Sequence, residues 1–214
     1  MNNELIERYE SLLKSTNRDG IDKLIEFIRK SDFYTAPAST RFHNCHEGGL
    51  LEHSLNVYDC LYNKVKSTDV FKKALSDSAK EFWDTDEFEK TIVIVALLHD
   101  LCKMFMYEVE MKNKKIYSDH GSKKDNQGRY DWESVPGYTV NDRVPYGHGE
   151  KSVMMIEQFI TLTKEERFAI RWHMGFTEPK ENWNTLNAAI RMYPLILAVH
   201  EADLEATYVL EKEE

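Results

Sequence analysis

The chain has 214 residues, 42% hydrophobic and 12% aromatic, which is enough for one well-formed core and argues against a disordered chain. Its formal net charge of −9 argues against a duplex-binding surface, because such a surface needs a basic footprint, but leaves room for a small phosphorylated ligand. Cys45, Cys60 and Cys102 form no CxxC pair, which fits a reducing compartment and not a disulfide scaffold or a cysteine-rich zinc site. No apolar run approaches the ~20 residues that span a bilayer. The start, Met1-Asn2-Asn3-Glu4, lacks the basic and apolar regions of a signal peptide. The expectation is a cytoplasmic protein with no membrane contact.

Leu5, Tyr9, Leu12 and Leu13 recur at helical spacing and predict a helix from Glu4 to about Ser15, ended by Asn17-Arg18-Asp19-Gly20. Ile21, Leu24, Ile25 and Ile28 predict a second helix that stops near Ser31-Asp32. Residues 34–47 read as a loop. A longer helix is expected from Gly49 to about Val65, a weaker one from Phe71 to Trp83, and a strong, mostly buried one from Glu87 to Met104. Residues 107–145 are polar and broken by Gly121, Gly128, Pro136 and Gly137. Within them, Ile116-Tyr117 and Tyr130-Asp131-Trp132 are candidate strands of a hairpin. Helical pattern resumes at His148, continues through Thr163–Arg171 and returns from Tyr193 to about Leu210. The expected architecture is one all-α domain over residues 1–214. Residues 1–33 form its N-terminal helices, and residues 107–145 form a polar insertion or lid, in hairpin form if those two strands pair.

The chemistry-bearing residues sit at particular points of this pattern. The apolar run Ile92–Leu98 ends in His99-Asp100. An adjacent imidazole and carboxylate at the end of a buried helix are costly unless something uses them, and a divalent cation takes both donor types. His53 stands in Gly48-Gly49-Leu50-Leu51-Glu52-His53-Ser54, and Asp203 in His200-Glu201-Ala202-Asp203. The order along the chain is His, His-Asp, Asp. Between the last two motifs stand His148, in Tyr146-Gly147-His148-Gly149, and His173, in Arg171-Trp172-His173-Met174.

This set resembles the HD superfamily of metal-dependent phosphohydrolases. Ala96-Leu97-Leu98-His99-Asp100-Leu101-Cys102-Lys103 is similar to the superfamily's signature motif, with Leu101-Cys102 where Ile-Gly is common. The likeness runs from about Phe42 to Thr207 and is strongest to small bacterial and phage-encoded members and to the HD part of some 3′-to-5′ exoribonucleases. It implies a helical bundle with a first metal on His53, His99, Asp100 and Asp203, Asp100 bridging, and a second metal on His148 and His173. One or two divalent ions are implied, with Mn, Fe, Ni, Co, Zn and Mg all open. Lys103 is implied as a substrate-phosphate ligand beside Asp100, although a helix-end lysine favoured by the helix dipole reads the same way.

His43 is a candidate substrate contact. Tyr146 and Phe176, in expected loops near two of the ligands, are candidate platforms for a base. The implied partner is a small phosphorylated substrate, either a nucleotide or a short single-stranded nucleic acid. Two other functions remain open. Some HD proteins with the same ligands hold two irons and activate oxygen, and others bind nucleotides without turnover. The insertion at 107–145 is expected to act as a flap over the cleft that selects substrate and excludes water.

Overall fold

The most apolar stretch of the sequence becomes a helix buried along its inner length. In the computed structural model, which describes residues 2–67 and 85–211, every residue from Thr91 to Leu98 of helix α4 (Asp86–Leu98) is buried. Around it stand α1 (Asn3–Ser15), α2 (Ile21–Lys30) and α3 (Gly49–Ser67) from the N-terminal side. From the C-terminal side come α5 (His148–Ile156), α6 (Lys164–Trp172), α7 (Trp183–Met192) and α8 (Leu195–Glu205). Helix α4 packs on α1, α3 and α6, and α8 packs on α3 and α6. The helix expected at Phe71–Trp83 lies outside the described residues. Among the described residues no helix is long and apolar enough to cross a membrane.

Polar ties fix the helices in register. The Tyr9 hydroxyl of α1 donates to the Leu97 carbonyl of α4 at 3.0 Å. Thr163 and Glu166 form a reciprocal cap at the start of α6, which satisfies two backbone donors there. The Glu166 carboxylate is fully buried and also accepts from Arg18 and from Thr91 Oγ1, so it joins α4, α6 and the turn after α1. Helices α5 and α6 approach closely at Gly149, where an added Cβ would lie 2.2 Å from the Arg171 carbonyl oxygen. Only glycine allows that approach, which brings the ends carrying His148 and His173 together.

An all-α fold is not what forms. The described residues are 56% helical and 14% strand, and the strands build a three-stranded antiparallel sheet. Strand β1 (Tyr107–Tyr117) pairs with β3 (Gly128–Val140) over its whole length, and β3 pairs on its other side with β2 (Lys123–Asp125). Ile116 and Tyr117 lie directly opposite Asp131 and Tyr130. A tight connection through Asn126-Gln127 closes β2 onto β3: the Asp125 carboxylate accepts from the Gln127 amide at 2.9 Å, and Gly128 takes a φ of 141°. Glu108–Lys114 are exposed on both faces of the sheet, so the ribbon projects from the helices. Two-sided exposure removes the alternation that marks a half-buried strand, which is why this stretch reads as a loop in sequence.

Three further boundaries differ from the sequence expectation. Helix α4 ends at Leu98, and a short 3₁₀ turn (Leu101–Lys103) follows Asp100. Helix α7 lies in a stretch with no expected helix, where Leu186 and Ala189 pack in a small cluster with Trp172 and Ile196. Past α8 the chain widens into a π-helical turn (Ala206–Leu210) that ends at Glu211. Between the 3₁₀ turn and β1, Phe105 adopts a φ of 57°, and its amide donates to Asp32 Oδ1 at 2.8 Å.

Candidate metal centre

Breaking α4 at Leu98 turns Asp100 into the middle of the molecule, where it is 3% exposed. Its two carboxylate oxygens face different partners. Oδ2 lies 3.6 Å from His53 Nε2 and 3.4 Å from His99 Nε2. Oδ1 lies 2.7 Å from His148 Nε2 and 3.5 Å from His173 Nε2. Asp203, reaching in from α8, places Oδ1 3.3 Å from His53 Nε2. The six residues expected as ligands, from five different helices or helix ends, therefore meet around one carboxylate.

The imidazoles are oriented from behind. His99 and His173, each at the residue after a helix, hold the Nδ1 side against the carbonyl three residues earlier, Ala96 at 2.8 Å and Ile170 at 2.7 Å. That contact places the proton on Nδ1 and leaves the Nε2 lone pair facing inward. Both Nε2 atoms are buried without a hydrogen-bond partner. Buried imidazole acceptors are normally satisfied, and a cation is the partner that suits a ring fixed in this way. His53 is held by a carboxylate: its Nδ1 lies 3.0 and 3.1 Å from the two oxygens of Glu211, which also accepts from Asn56 Nδ2 at 2.9 Å. His148 Nδ1 lies 3.3 Å from Cys102 Sγ. Donor atoms of His53, His99 and Asp100 lie within 4.8 Å of one another, as do those of His99, His173 and Asp203, and those of Asp100, Cys102 and His148. Nitrogen and carboxylate oxygen donors at such spacing fit divalent transition ions.

The electrostatics follow from this crowding. Burial alone raises the Asp100 carboxyl, yet the Lys103 ammonium and the surrounding imidazoles hold it well below the carboxylate range. Burial lowers His53, but Asp203 and Glu211 outweigh it and push the imidazole up to about 9. His148 is likewise raised to about 9 against its burial, by Asp100 and Cys102. His43 moves the other way: burial and the nearby His53 and Lys103 lower it.

The remaining sequence candidates, His43, Lys103, Tyr146 and Phe176, divide clearly, and the neighbouring histidines and basic residues have partners or positions of their own. His43 stands over the cluster, its ring centroid 5.0 Å from that of His53 and both ring nitrogens buried without a partner. Lys103 is in the cluster, with Nζ 2.6 Å from Asp100 Oδ2 and 2.7 Å from the Ala38 carbonyl oxygen, so one ammonium N–H is left over. Tyr146 and Phe176 are 58% and 45% exposed, and neither ring stacks on a ligand histidine among the described residues; Phe176 meets Trp183 edge-on. His200 Nδ1 donates to the His173 carbonyl oxygen at 2.8 Å, which makes it a support for the His173 segment. Arg171 is committed to Glu150 and Glu178, and Lys151 to Asp142. His46 pairs with Glu52 at the surface, and His120 is exposed in the ribbon.

Glu211 and Cys102 carry no sequence expectation, yet both touch ligand histidines. Glu211 sits in a charged terminal run and gives no signal. Cys102 gives one, as the residue that departs from the common form of the His-Asp motif. Comparison of the chain with models of known protein families, with curated proteins and with solved structures finds no match.

Proposed function

We propose that the chain is a metal-dependent phosphohydrolase of the HD type, acting on a phosphomonoester or phosphodiester in a nucleotide or short oligonucleotide. The observation that carries this reading is the division of the Asp100 carboxylate, with His53 and His99 on one oxygen and His148 and His173 on the other. This is the arrangement of a carboxylate between two cation positions, and it supports the ligand assignment that the motif resemblance implies. Bound divalent cations supply Lewis acidity, which activates water at neutral pH and offsets charge on phosphoryl oxygens.

The chain's own residues do the rest. Glu211, Ala96 and Ile170 hold three imidazoles with their inward nitrogens fixed, so the site needs little reorganisation on loading. Lys103 offers its remaining N–H to a phosphoryl oxygen, and His43 brings two uncommitted nitrogens to the same side. No covalent nucleophile is required.

The test is metal analysis of the purified protein together with a screen of nucleoside monophosphates, cyclic nucleotides and short single strands in Mn²⁺, Ni²⁺ and Mg²⁺. The expected result is one or two bound ions per chain and metal-dependent release of phosphate or nucleotide. Iron-loaded protein that consumes oxygen and hydrolyses none of these substrates would replace this reading with the oxygenase one.

A further inference from the structure

The two faces of the projecting ribbon differ in chemistry. The register sets Val109 opposite Tyr138, Met111 opposite Pro136, Lys115 opposite Trp132 and Tyr117 opposite Tyr130, all on one face. Lys123 joins this face opposite Tyr130. The carboxylates of Glu108, Glu110 and Glu133 stand on the other face. The first face has one carboxylate, Asp125, and it is occupied by Lys115 at 2.6 Å and by the Tyr117 hydroxyl at 2.9 Å. Tyr117 and Trp132 are 42% and 49% exposed, and the Lys115 ammonium lies 4.3 Å from the Tyr130 ring centroid. The surface is therefore aromatic and basic, with no free acid.

The tip is basic as a whole. Between residues 112 and 131 stand Lys112, Lys114, Lys115, Lys123, Lys124 and Arg129 against Asp119, Asp125 and Asp131, in a chain whose net charge is −9. Lys115 and Lys123 lie on the aromatic face, and Lys112, Lys114, Lys124 and Arg129 on the other. The aromatic face also leads to the metal centre. Its first residue, Tyr107, donates to the Ala38 carbonyl oxygen at 3.2 Å; the same oxygen accepts from Lys103, which lies 2.6 Å from Asp100.

We propose that this face of the ribbon is a track for single-stranded nucleic acid that feeds a strand toward Asp100. Bases stack on Tyr117, Tyr130 and Trp132, phosphates meet Lys115 and Lys123, and the strand descends past Met111 and Val109 to Tyr107. Stacking and basic charge together are how sequence-independent single-strand binding is achieved, whereas a duplex hides its base faces and meets an acidic body. The eleven residues of β1 span roughly 35 Å at ~3.3 Å each, room for several nucleotides. The proposal rests on the phosphohydrolase reading above and narrows its substrate to an oligonucleotide.

The experiment is fluorescence anisotropy of a labelled 12-nucleotide oligothymidylate with the full chain carrying Asp100→Asn, which separates binding from turnover. The single strand should bind at least tenfold more tightly than a 12-base-pair duplex, with affinity falling as salt rises. Adding Tyr117→Ala and Trp132→Ala should weaken binding at least tenfold. Trp132→Phe, which keeps the ring, should restore most of it, and Glu110→Ala on the opposite face should not weaken it. Equal affinity for all ribbon variants, or no measurable binding, overturns the proposal. So does sedimentation showing a dimer that Trp132→Ala dissociates, because the face would then be an interface between copies. Strand binding through this face without hydrolysis by the unsubstituted chain would sink the phosphohydrolase reading alone. Hydrolysis of mononucleotides without strand binding would sink the track alone.

Discussion

The Nδ1 atom of His53 lies 3.0 Å from the carboxylate of Glu211, a residue 158 positions further along the chain, and both side chains are almost fully buried. A carboxylate behind a ligand imidazole fixes the ring and raises its basicity, and losing such a partner typically costs about 10–100-fold in metal affinity. Glu211→Ala is therefore expected to weaken metal binding by that order in calorimetric titration of metal-free protein. Glu211→Gln, which keeps a hydrogen bond without the charge, should fall between. Unchanged affinity in both variants would make the contact purely structural.

Asp100→Ala should abolish metal-dependent turnover and remove at least one bound ion, because its two carboxylate oxygens each face one pair of histidines. The variant also takes from the Lys103 ammonium the carboxylate it pairs with at 2.6 Å. An unpaired buried charge is costly, so the melting temperature should fall as well. Asp100→Asn separates the effects, since it keeps the shape and loses the charge. Full turnover at saturating metal in either variant would remove Asp100 from the ligand set.

For a centre that holds two ions, His148→Ala and His173→Ala should each lower metal content from about two ions to about one per chain. The two residues meet the same carboxylate oxygen, at 2.7 and 3.5 Å, so either loss opens the same position. Elemental analysis of dialysed protein reads the result. A content unchanged in both variants would point to a single-ion site and to a substrate-facing role for these rings.

In the metal-free protein the His53 and His148 imidazoles are raised from 6.5 to about 9 by their carboxylate and thiol neighbours, against their burial. A group whose folded value lies above its unfolded value stabilises the fold below the unfolded one, here about 6.5, and the stabilisation disappears as pH rises through about 9. Metal-free protein should therefore melt at a lower temperature at about pH 9.5 than at pH 6.5. Cations bind the neutral rings, so loading below pH 9 should release protons, and apparent affinity should climb between those two values. Calorimetry in buffers of different ionisation enthalpy counts the protons. Histidine resonances of the metal-free protein that all titrate near 6.5 would contradict the assignment.

The histidine–aspartate cluster is legible because its residues sit where an apolar pattern breaks. His99-Asp100 ends the run Ile92–Leu98, and the other members fall at or inside stretches of helical periodicity. Glu211 was not legible. Its position depends on the π-helical turn at Ala206–Leu210, and nothing in the run Glu211-Lys212-Glu213 separates one carboxylate from the next. Helix α7 was missed because its buried side, Leu186 and Ala189, serves a small cluster and not the main core. The ribbon was half seen. The aromatic pair Tyr117 and Tyr130 marked its outer end, while the charged stretch Glu108–Lys114 concealed that the strands continue to the body.

The left-handed Phe105 gives the ribbon a property of its own. A non-glycine residue in that conformation costs roughly 1–2 kcal/mol, and here it is held by one hydrogen bond from its amide to Asp32. Phe105 is thus one of several ties between the ribbon and the helices, beside the Tyr107 hydroxyl on the Ala38 carbonyl and the Asp142–Lys151 ion pair after β3. Because Tyr107 and Lys103 share the Ala38 carbonyl oxygen, the base of the ribbon is tied to the same group that holds the ammonium beside Asp100. Phe105→Gly would remove the cost of the left-handed conformation and loosen one of the ties that set the direction of the ribbon.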